Sequence, residues 1–458
     1  MIDRSEILAV AADLSLEANV VEKDYVLGWL LAGIYSNQLL AEKWVFKGGT
    51  CLKKCFFETY RFSEDLDFTL TDPTQLDGTF LLDAFRSISQ WIYNETGLEL
   101  PGDQLRFDVY QNAHGGLSCE GRVYYIGPLQ RRSSLPRIKL DLTADEILTR
   151  QGVRRVVWHP YTDCPPTGIT AFCYAYEELF GEKIRALGER ARPRDLYDVI
   201  NLFWHTEFRP LASEVLEVLR QKCNFKSIAL PTYTSIASFL EELRGDWQNM
   251  LAHQLPVLPP FESFWNALPE FFAWLESALA PTVLEAPPVS AEEHVFRPAV
   301  GVLRLSGVAG SSALETIRFA AANRLCVDLG YNNELRRIEP YSLRRTRAGN
   351  ILLFAIRSSD EQSRSYRLDR IQNATVTEQS FSPRYAIELT PGGAGSIPPL
   401  TRSVGYGLGT RTGPTYTYEC YYCERRFPHS RPNSRLSPHK AAEGWDCPGR
   451  IGYLVDIE

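Results

Sequence analysis

Apolar and polar positions repeat with two different periods over the first 210 residues, so helix and strand are interleaved there. Residues 20–35 form a helix-length apolar segment, and 44–46 (Trp-Val-Phe) form a short strand that runs into Gly48-Gly49. Residues 51–57 read as helical. Residues 66–70 and 137–143 alternate with period two and are expected to be strands. A charged amphipathic helix is expected over 177–190. Pro193 then opens another over 194–204, since proline suits a first helical turn. Residues 211–278 lack glycine-rich turns, are dense in Leu, Trp, Phe and Glu, and read as mainly helical. A proline-rich stretch, 280–298, is a linker candidate. Beyond it a helix is expected over 314–325. Short strands follow over 327–376, broken at Asn332-Asn333, Ala348-Gly349-Asn350 and Ser358-Ser359-Asp360, which is the pattern of a small β-barrel. A second linker candidate, 391–399, is rich in Gly and Pro, and no internal repeat is evident.

The chemistry concentrates at Phe46-Lys47-Gly48-Gly49-Thr50 and Arg61-Phe62-Ser63-Glu64-Asp65-Leu66-Asp67-Phe68. Alternate residues of a strand share a face, so Asp65 and Asp67 project together while Leu66 and Phe68 point into the core. Two carboxylates so spaced can bracket Mg²⁺ or Mn²⁺, leaving the other coordination positions to water and substrate phosphates. The Gly48-Gly49 turn would let main chain approach a triphosphate, and Thr50 would donate to a phosphate oxygen from the start of the next helix. In Arg137-Ile138-Lys139-Leu140-Asp141-Leu142-Thr143 the same alternation buries Ile138, Leu140 and Leu142 and leaves Lys139, Asp141 and Thr143 on the open face. If this strand neighbours the Asp65/Asp67 strand, Asp141 completes a three-carboxylate site able to hold two metals about 3.5–4 Å apart. Singly, Asp-x-Asp is a common solvated turn. Gly-Gly-Thr is no P-loop either, because the Gly-Lys-Ser/Thr ending is absent.

Taken as a set, Lys47-Gly48-Gly49-Thr50 with Arg61-x-Ser63-x-Asp65-x-Asp67-Phe68 resembles the AbiEii/AbiGii-type nucleotidyltransferases of the DNA polymerase β superfamily. Glu22-Lys23-Asp24-Tyr25-Val26, Glu182-Lys183-Ile184-Arg185-Ala186 and Arg192-Pro193-Arg194-Asp195-Leu196-Tyr197-Asp198 extend the likeness over about residues 1–280. The resemblance implies a polymerase-β-like palm with helical additions and transfer of NMP from a (d)NTP. It also implies nucleotide-site roles for Ser63, Lys183 and the Asp195/Asp198 pair: Lys183 on the triphosphate, the pair holding that region near the site. From spacing alone, Arg194 and Asp198 are equally well a simple i,i+4 helix pair.

Farther along, Val327-Asp328-Leu329-Gly330-Tyr331, Arg336-Arg337-Ile338-Glu339-Pro340-Tyr341-Ser342-Leu343 and Tyr366-Arg367-Leu368-Asp369-Arg370-Ile371 resemble a WYL domain over about 314–384. WYL domains are Sm-like barrels that bind nucleic acid or nucleotide-like ligands and regulate prokaryotic defence systems. The name-giving Trp-Tyr-Leu is replaced by Ile351-Leu352-Leu353, while Arg336, Arg367 and Arg370 remain for phosphate contacts. Alternatively these arginines pair with Glu339 and Asp369.

The tail carries Cys420-x2-Cys423, fifteen residues, His439, seven residues and Cys447, which is zinc-ribbon-like spacing for a closed structural Zn²⁺ site. His429 is the rival fourth ligand; His439 is preferred because Ser437-Pro438-His439-Lys440 precedes the second turn, Cys447-Pro448-Gly449. So small a ribbon needs its metal to fold. Arg425, Arg426, Arg431 and Arg435 beside Tyr421, Tyr422 and Phe427 would grip a single strand by charge and stacking, or else belong to a purely structural ribbon.

The expected architecture is α+β and multidomain. A nucleotidyltransferase domain (1–210) has a helical extension (211–282), and a linker (283–300) leads to a WYL-like barrel (301–390). A second linker (391–415) precedes the cysteine module (416–458). The length, 458 residues, suits two to four domains. With 44% apolar and 23% charged residues, the composition excludes collagen, disorder and a disulfide scaffold. The longest apolar run, 26–35, is far short of the roughly 20 residues of a membrane span. The charged N-terminus has no apolar signal core, and cysteines 51, 55, 119, 164, 173, 223 and 326 are scattered. A cytoplasmic protein with reduced core thiols is expected. From residue 300 onward 21 Lys and Arg face 15 Asp and Glu, a balance of +6, which leaves −13 for the rest. The basic C-terminal third suits phosphate contact or a plain solvated surface. The function expected is metal-dependent, template-independent transfer of a nucleotide to a hydroxyl in a phage-defence or toxin–antitoxin system. The acceptor would be a nucleic-acid 3′ end such as tRNA, or a growing oligonucleotide signal, and a cognate antitoxin or effector protein would be the partner. The alternatives are a non-catalytic WYL-type sensor and a protein-nucleotidylating enzyme.

Overall fold

The computed structural model describes residues 1–14, 16–57, 60–112, 115–206, 209–278, 311–345 and 350–389. In the tail it describes 416–420, 423, 425–429, 436, 439–441, 446–447 and 452–457. The expected linkers, together with Tyr421, Tyr422, Arg431 and Arg435, lie outside these residues. The chain is mixed α/β and divides into two compact units, Met1–Val300 and Gly301–Glu458.

In the first unit, helices α1 (Arg4–Leu14) and α2 (Ala18–Ser36) lead into β1 (Trp44–Lys47), α3 (Gly48–Cys51) and a π-turn over Leu52–Phe56. Next come β2 (Asp65–Leu70), α4 (Gly78–Thr96), β3 (Arg106–Gln111), β4 (Leu117–Tyr124), β5 (Arg137–Thr143), β6 (Val153–Val157) and β7 (Ile169–Cys173). The seven strands form one sheet in the order β3-β4-β5-β2-β1-β7-β6. Its ladders are antiparallel except β2/β5 and β1/β7, which are parallel.

Alternation assigns the two faces of this sheet. Phe68 packs against both Trp44 and Phe46 on one face, and Phe85 of α4 closes over Trp44 and Phe107. α4 is well delimited: the Asp77 carboxylate accepts the Phe80 N–H at 2.8 Å at its start, and Gly97, at φ +74°, ends it. α2 is apolar beyond Asp24 and is buried from Val20 to Ile34 on every side except at Lys23. The polar face of the sheet carries the charged residues.

Seven further helices follow β7: α5 (Tyr176–Arg190), α6 (Pro193–Trp204), α7 (Ala212–Phe225), α8 (Tyr233–Ala237), α9 (Leu240–Leu251), α10 (Phe261–Trp265) and α11 (Leu268–Ser277). Pro193 occupies the first turn of α6 as its sequence predicts. Aromatic stacking of Tyr197 and Trp204 on Phe264, and of Phe180 on Trp274, ties α10 and α11 back to α5 and α6. No described helix is long and apolar enough to cross a membrane.

The second unit holds α12 (Ser311–Ala322) and a separate antiparallel sheet. Its strands are β8 (Leu325–Tyr331), β9 (Glu334–Arg345), β10 (Ile351–Arg357), β11 (Gln362–Arg367) and β12 (Ile371–Ser380), in the order β11-β10-β9-β8-β12. The helix expected to reach 325 stops at Ala322, because Arg324 turns left-handed (φ +54°) and Leu325 already begins β8. Asn332 and Asn333, both at positive φ, make the tight β8–β9 hairpin. The expected barrel is an open sheet among the described residues: β11 and β12, its edges, are not paired with each other, and two register shifts interrupt the β12–β8 ladder. In the tail, β13 (Tyr416–Cys420), β14 (Arg426–His429) and β17 (Gly452–Ile457) pair in the order β14-β13-β17, while β15 (His439–Lys440) pairs with β16 (Asp446–Cys447).

Candidate active site

β5 is the parallel neighbour of β2, and the register sets Asp67 opposite Asp141 and Asp65 opposite Lys139. Across the other edge of β2, Lys47 of β1 stands opposite Asp67. Register partners share a face, so Asp141, Asp67 and Lys47 form one row across three strands on the polar side of the sheet. A cavity of about 310 Å³ opens on this row, lined by Lys47, Asp67, Asp141, Ser118, Thr143 and Tyr110 among others. The Lys139 ammonium sits 3.0 Å from Asp141 and 3.5 Å from Glu120. Lys47 lies 3.6 Å from Glu146, and Lys23 caps Glu64 at 2.6 Å.

The electrostatics of the row are those of a cluster short of positive charge. Burial, then the neighbouring Asp141, push the Asp67 carboxyl up to about 6, although Lys47 and Lys183 pull the other way. Burial also raises Asp65, against the opposing pull of Lys23. Oxygen donors crowded on one face and lacking charge balance match what a hard divalent cation requires, so the residues present fit Mg²⁺ or Mn²⁺.

The glycine turn packs closely against neighbouring side chains. Gly48 sits at φ +81°, where a Cβ would collide with the Asp67 carboxylate. A Cβ on Gly49 would fall 2.6 Å from the Arg61 Nη2 and 3.2 Å from the Ser63 Oγ. The room left by both glycines is therefore filled by the protein's own side chains, which brings Ser63 and Asp67 against the start of α3. The Thr50 hydroxyl donates to the Asp65 carbonyl at 2.5 Å and locks α3 to β2. Gly48→Ala is expected to cost about 1–2 kcal/mol from the left-handed conformation alone. Displacement of Asp67 should add a loss of transfer on the order of tenfold for each ~1.4 kcal/mol of lost transition-state stabilisation. Thermal melts and initial rates check both effects.

Behind the turn lies a buried ion network. Asp198 accepts the Arg61 guanidinium twice at 2.7 Å, the Tyr60 hydroxyl at 2.9 Å and the Lys183 ammonium at 2.6 Å. Arg61 and Lys183 hold its carboxyl well below the usual range despite burial. Asp195 is taken by Arg190 at 2.7 and 2.9 Å, with Lys183 4.0 Å away. The i,i+4 pairing of Asp198 with Arg194 is thus replaced by long-range partners. Arg61, recognised in the motif but given no role from sequence, is the hub, and Gln254 accepts its third bond at 2.9 Å. Also unforeseen is the buried Lys222, 2.7 Å from Glu178, 3.4 Å from Glu182 and 3.8 Å from Glu146. No spacing signal marks residues that meet only through folding.

In the second unit Arg336 pairs with Glu334 and Arg367 with Asp369, each at 2.6 Å, while Arg370 is exposed. Glu339 accepts the Tyr341 hydroxyl at 3.0 Å rather than an arginine. In the tail the ligand atoms of Cys420, Cys423, His439 and Cys447 all lie within 4.8 Å of one another, and the sulfurs of Cys420 and Cys447 are 3.6 Å apart. Zn–S bonds of about 2.3 Å place tetrahedral sulfurs roughly 3.8 Å apart, so this donor set fits zinc. Arg425 donates to the Lys440 carbonyl at 3.1 Å, and Arg426 to Glu419 at 2.7 Å.

Comparison with known proteins adds the family. The model of the nucleotidyl transferase AbiEii toxin of type IV toxin–antitoxin systems matches residues 29–276, and the WYL domain model matches 312–376. No curated protein matches the chain. Among solved structures, the nucleotidyltransferase toxin MenT4 of Mycobacterium tuberculosis H37Rv is 17% identical, over 60% of this chain and 90% of that one, with a TM-score of 0.39. JHP933 of Helicobacter pylori is 16% identical, over 58% and 94%, with a TM-score of 0.38. Because the first model spans more than half of the chain, this protein belongs to the AbiEii nucleotidyltransferase toxin family, and it carries a WYL domain after its transferase domain.

Proposed function

We propose that this nucleotidyltransferase moves a nucleoside monophosphate from a (d)NTP to a hydroxyl acceptor without a template, with Asp65, Asp67 and Asp141 holding Mg²⁺ or Mn²⁺. The observation that carries this reading is the register of β2 and β5, which sets Asp67 beside Asp141 on the cavity floor. The bound ion would supply positive charge to the phosphates and to the attacking oxygen. Lys47 and Ser63, at the mouth of the glycine turn, would receive the triphosphate from the β1 side. Lys183, fixed by Asp198 and Asp195, would add positive potential behind it, and Thr50 and Gly49 would hold the turn. The acceptor then enters from the β5 side, where Asp141, with 40% of its side chain exposed, faces the cavity and Lys139 orients it. The acceptor hydroxyl gives up its proton to solvent as its oxygen bonds to the α-phosphorus, the bridge to the β-phosphorus breaks, and pyrophosphate leaves with its charge against Lys47.

The acceptor class most consistent with the chain is a nucleic-acid 3′ end such as tRNA, or a growing oligonucleotide, with a cognate antitoxin or effector as protein partner and the cytoplasm as the place of action. In this reading 1–210 is the transferase, 211–282 its helical extension, 301–390 the WYL unit and 416–458 a zinc module closed by Cys420, Cys423, His439 and Cys447. The test is to incubate the full-length chain with each labelled NTP and dNTP plus Mg²⁺, with and without tRNA. Extended tRNA or oligomers made without added acceptor support the reading. Label fixed to protein makes the acceptor a protein side chain, and no incorporation under any condition sinks the proposal.

A further inference from the structure

Cys51 ends α3, and Cys55 lies four residues on, inside the π-turn Leu52–Phe56. The turn is closed by the Phe57 N–H reaching back five residues to the Leu52 carbonyl at 2.8 Å. In that widened turn residues four apart project from nearly the same side, and such turns recur at functional sites. Cys173, the last residue of β7, is brought to the same point by the pairing of β7 with β1 at Phe46. The three sulfurs lie within 4.8 Å of one another, and all three residues are buried, Cys51 and Cys173 completely.

We propose that Cys51, Cys55 and Cys173 form a metal site, separate from the carboxylates and from the tail, that takes one thiophilic closed-shell ion of the Zn²⁺ or Cd²⁺ class. Zn–S bonds of about 2.3 Å bring three thiolates to roughly 3.8–4 Å separation, so closure around zinc asks for under an ångström of movement, and the larger Cd²⁺ asks for less. Thiolates select such ions over Mg²⁺, which keeps this site chemically apart from the catalytic row. Binding exchanges three S–H bonds for three S–metal bonds and releases the three protons to solvent. The −1 charge left around a divalent ion has cationic neighbours: the Arg155 Nε bonds the Cys55 carbonyl at 3.2 Å, and Lys54 is the adjacent residue. The site ties the first turn after Gly48-Gly49-Thr50 to β7, so occupancy stiffens the support of the glycine turn.

The full-length chain carrying Cys420→Ser and Cys447→Ser removes the tail site and leaves this core untouched. Under anaerobic conditions with a phosphine reductant, Cd²⁺ titration of that variant should show one tight equivalent, sulfur-to-cadmium ultraviolet absorption, proton release to an indicator and a raised melting temperature. Adding Cys173→Ala should abolish all four signals, whereas Cys119→Ala, a buried cysteine outside the cluster, should keep them. Absence of the ultraviolet band and of the bound equivalent in the core-intact variant overturns the inference, even if Cys173→Ala fails to fold. Excess Mg²⁺ should not displace the ion. Nucleotidyl transfer is no part of the readout, so the outcome is independent of the proposed reaction.

Discussion

Asp67→Asn is expected to lower nucleotidyl transfer by about 10³-fold or more while leaving the fold intact. Asparagine keeps the shape of the side chain but removes a full negative charge from the centre of the row Lys47, Asp67 and Asp141. A loss of ~4 kcal/mol of transition-state stabilisation, the several kcal/mol a bound cation provides, gives that factor. The pH dependence separates this cause from misfolding. The Asp67 carboxyl titrates at about 6 in the folded chain against about 3.9 unfolded. It binds its proton more tightly when folded, so its favourable contribution is present below about 3.9 and is lost as pH rises to about 6. Without divalent metal, the asparagine variant should therefore melt at or above the wild-type temperature above pH 6, and the difference should vanish below pH 4. Metal affinity of the wild type should fall about tenfold per unit below pH 6, because a proton competes for the same oxygens. An asparagine variant that keeps a tenth or more of the activity would falsify the assignment.

Arg61→Ala should destabilise the first unit by about 3–5 kcal/mol, the usual cost of stripping one partner from a buried ion pair. Arg61 is 3% exposed and Asp198 is completely buried, so water cannot replace the lost donors. Lys183 and Tyr60 remain on Asp198, but the Gln254 side-chain Oε1 loses the Arg61 bond and the guanidinium no longer backs Gly49. The pH response has the opposite sign to that of Asp67. Asp198 is held below its unfolded value, so its contribution is present above about 3.9 and lost as pH falls. Removing Arg61 should move acid unfolding to higher pH. Arg61→Lys should recover only part of the loss, since an ammonium cannot make the two parallel bonds to Asp198. Urea unfolding of the three proteins measures the ranking. A loss under 1 kcal/mol for the alanine variant would show that the network is ornamental.

Local chemistry was legible wherever it depended on neighbours in sequence. The alternation around Asp65-Leu66-Asp67 and Lys139-Leu140-Asp141 separates a buried from an open face, because the strand repeat is two and needs no partner to be read. The grouping of Cys420, Cys423, His439 and Cys447 was legible from spacing, and folding brings their donor atoms within 4.8 Å of one another. The Asp65 carbonyl that accepts the Thr50 hydroxyl is supplied by β2, a partner that the local motif around Thr50 does not reveal. The barrel was inferred from strand count and turn spacing, neither of which says whether the edge strands meet.

By itself, then, the sequence determined the strand faces, the glycine turn, the candidate carboxylates, the cysteine–histidine grouping of the tail and the family likeness. All of these are set by residues close together along the chain. Only the tertiary structure decided that β5 lies parallel beside β2 with Asp141 opposite Asp67, and that Asp198 belongs to Arg61 rather than Arg194. It also gathered three cysteines, scattered along 123 residues (51 to 173), within 4.8 Å of one another. Strand order and register are chosen by the packing of the whole sheet and its helices, a sum over distant contacts that no short stretch of sequence contains.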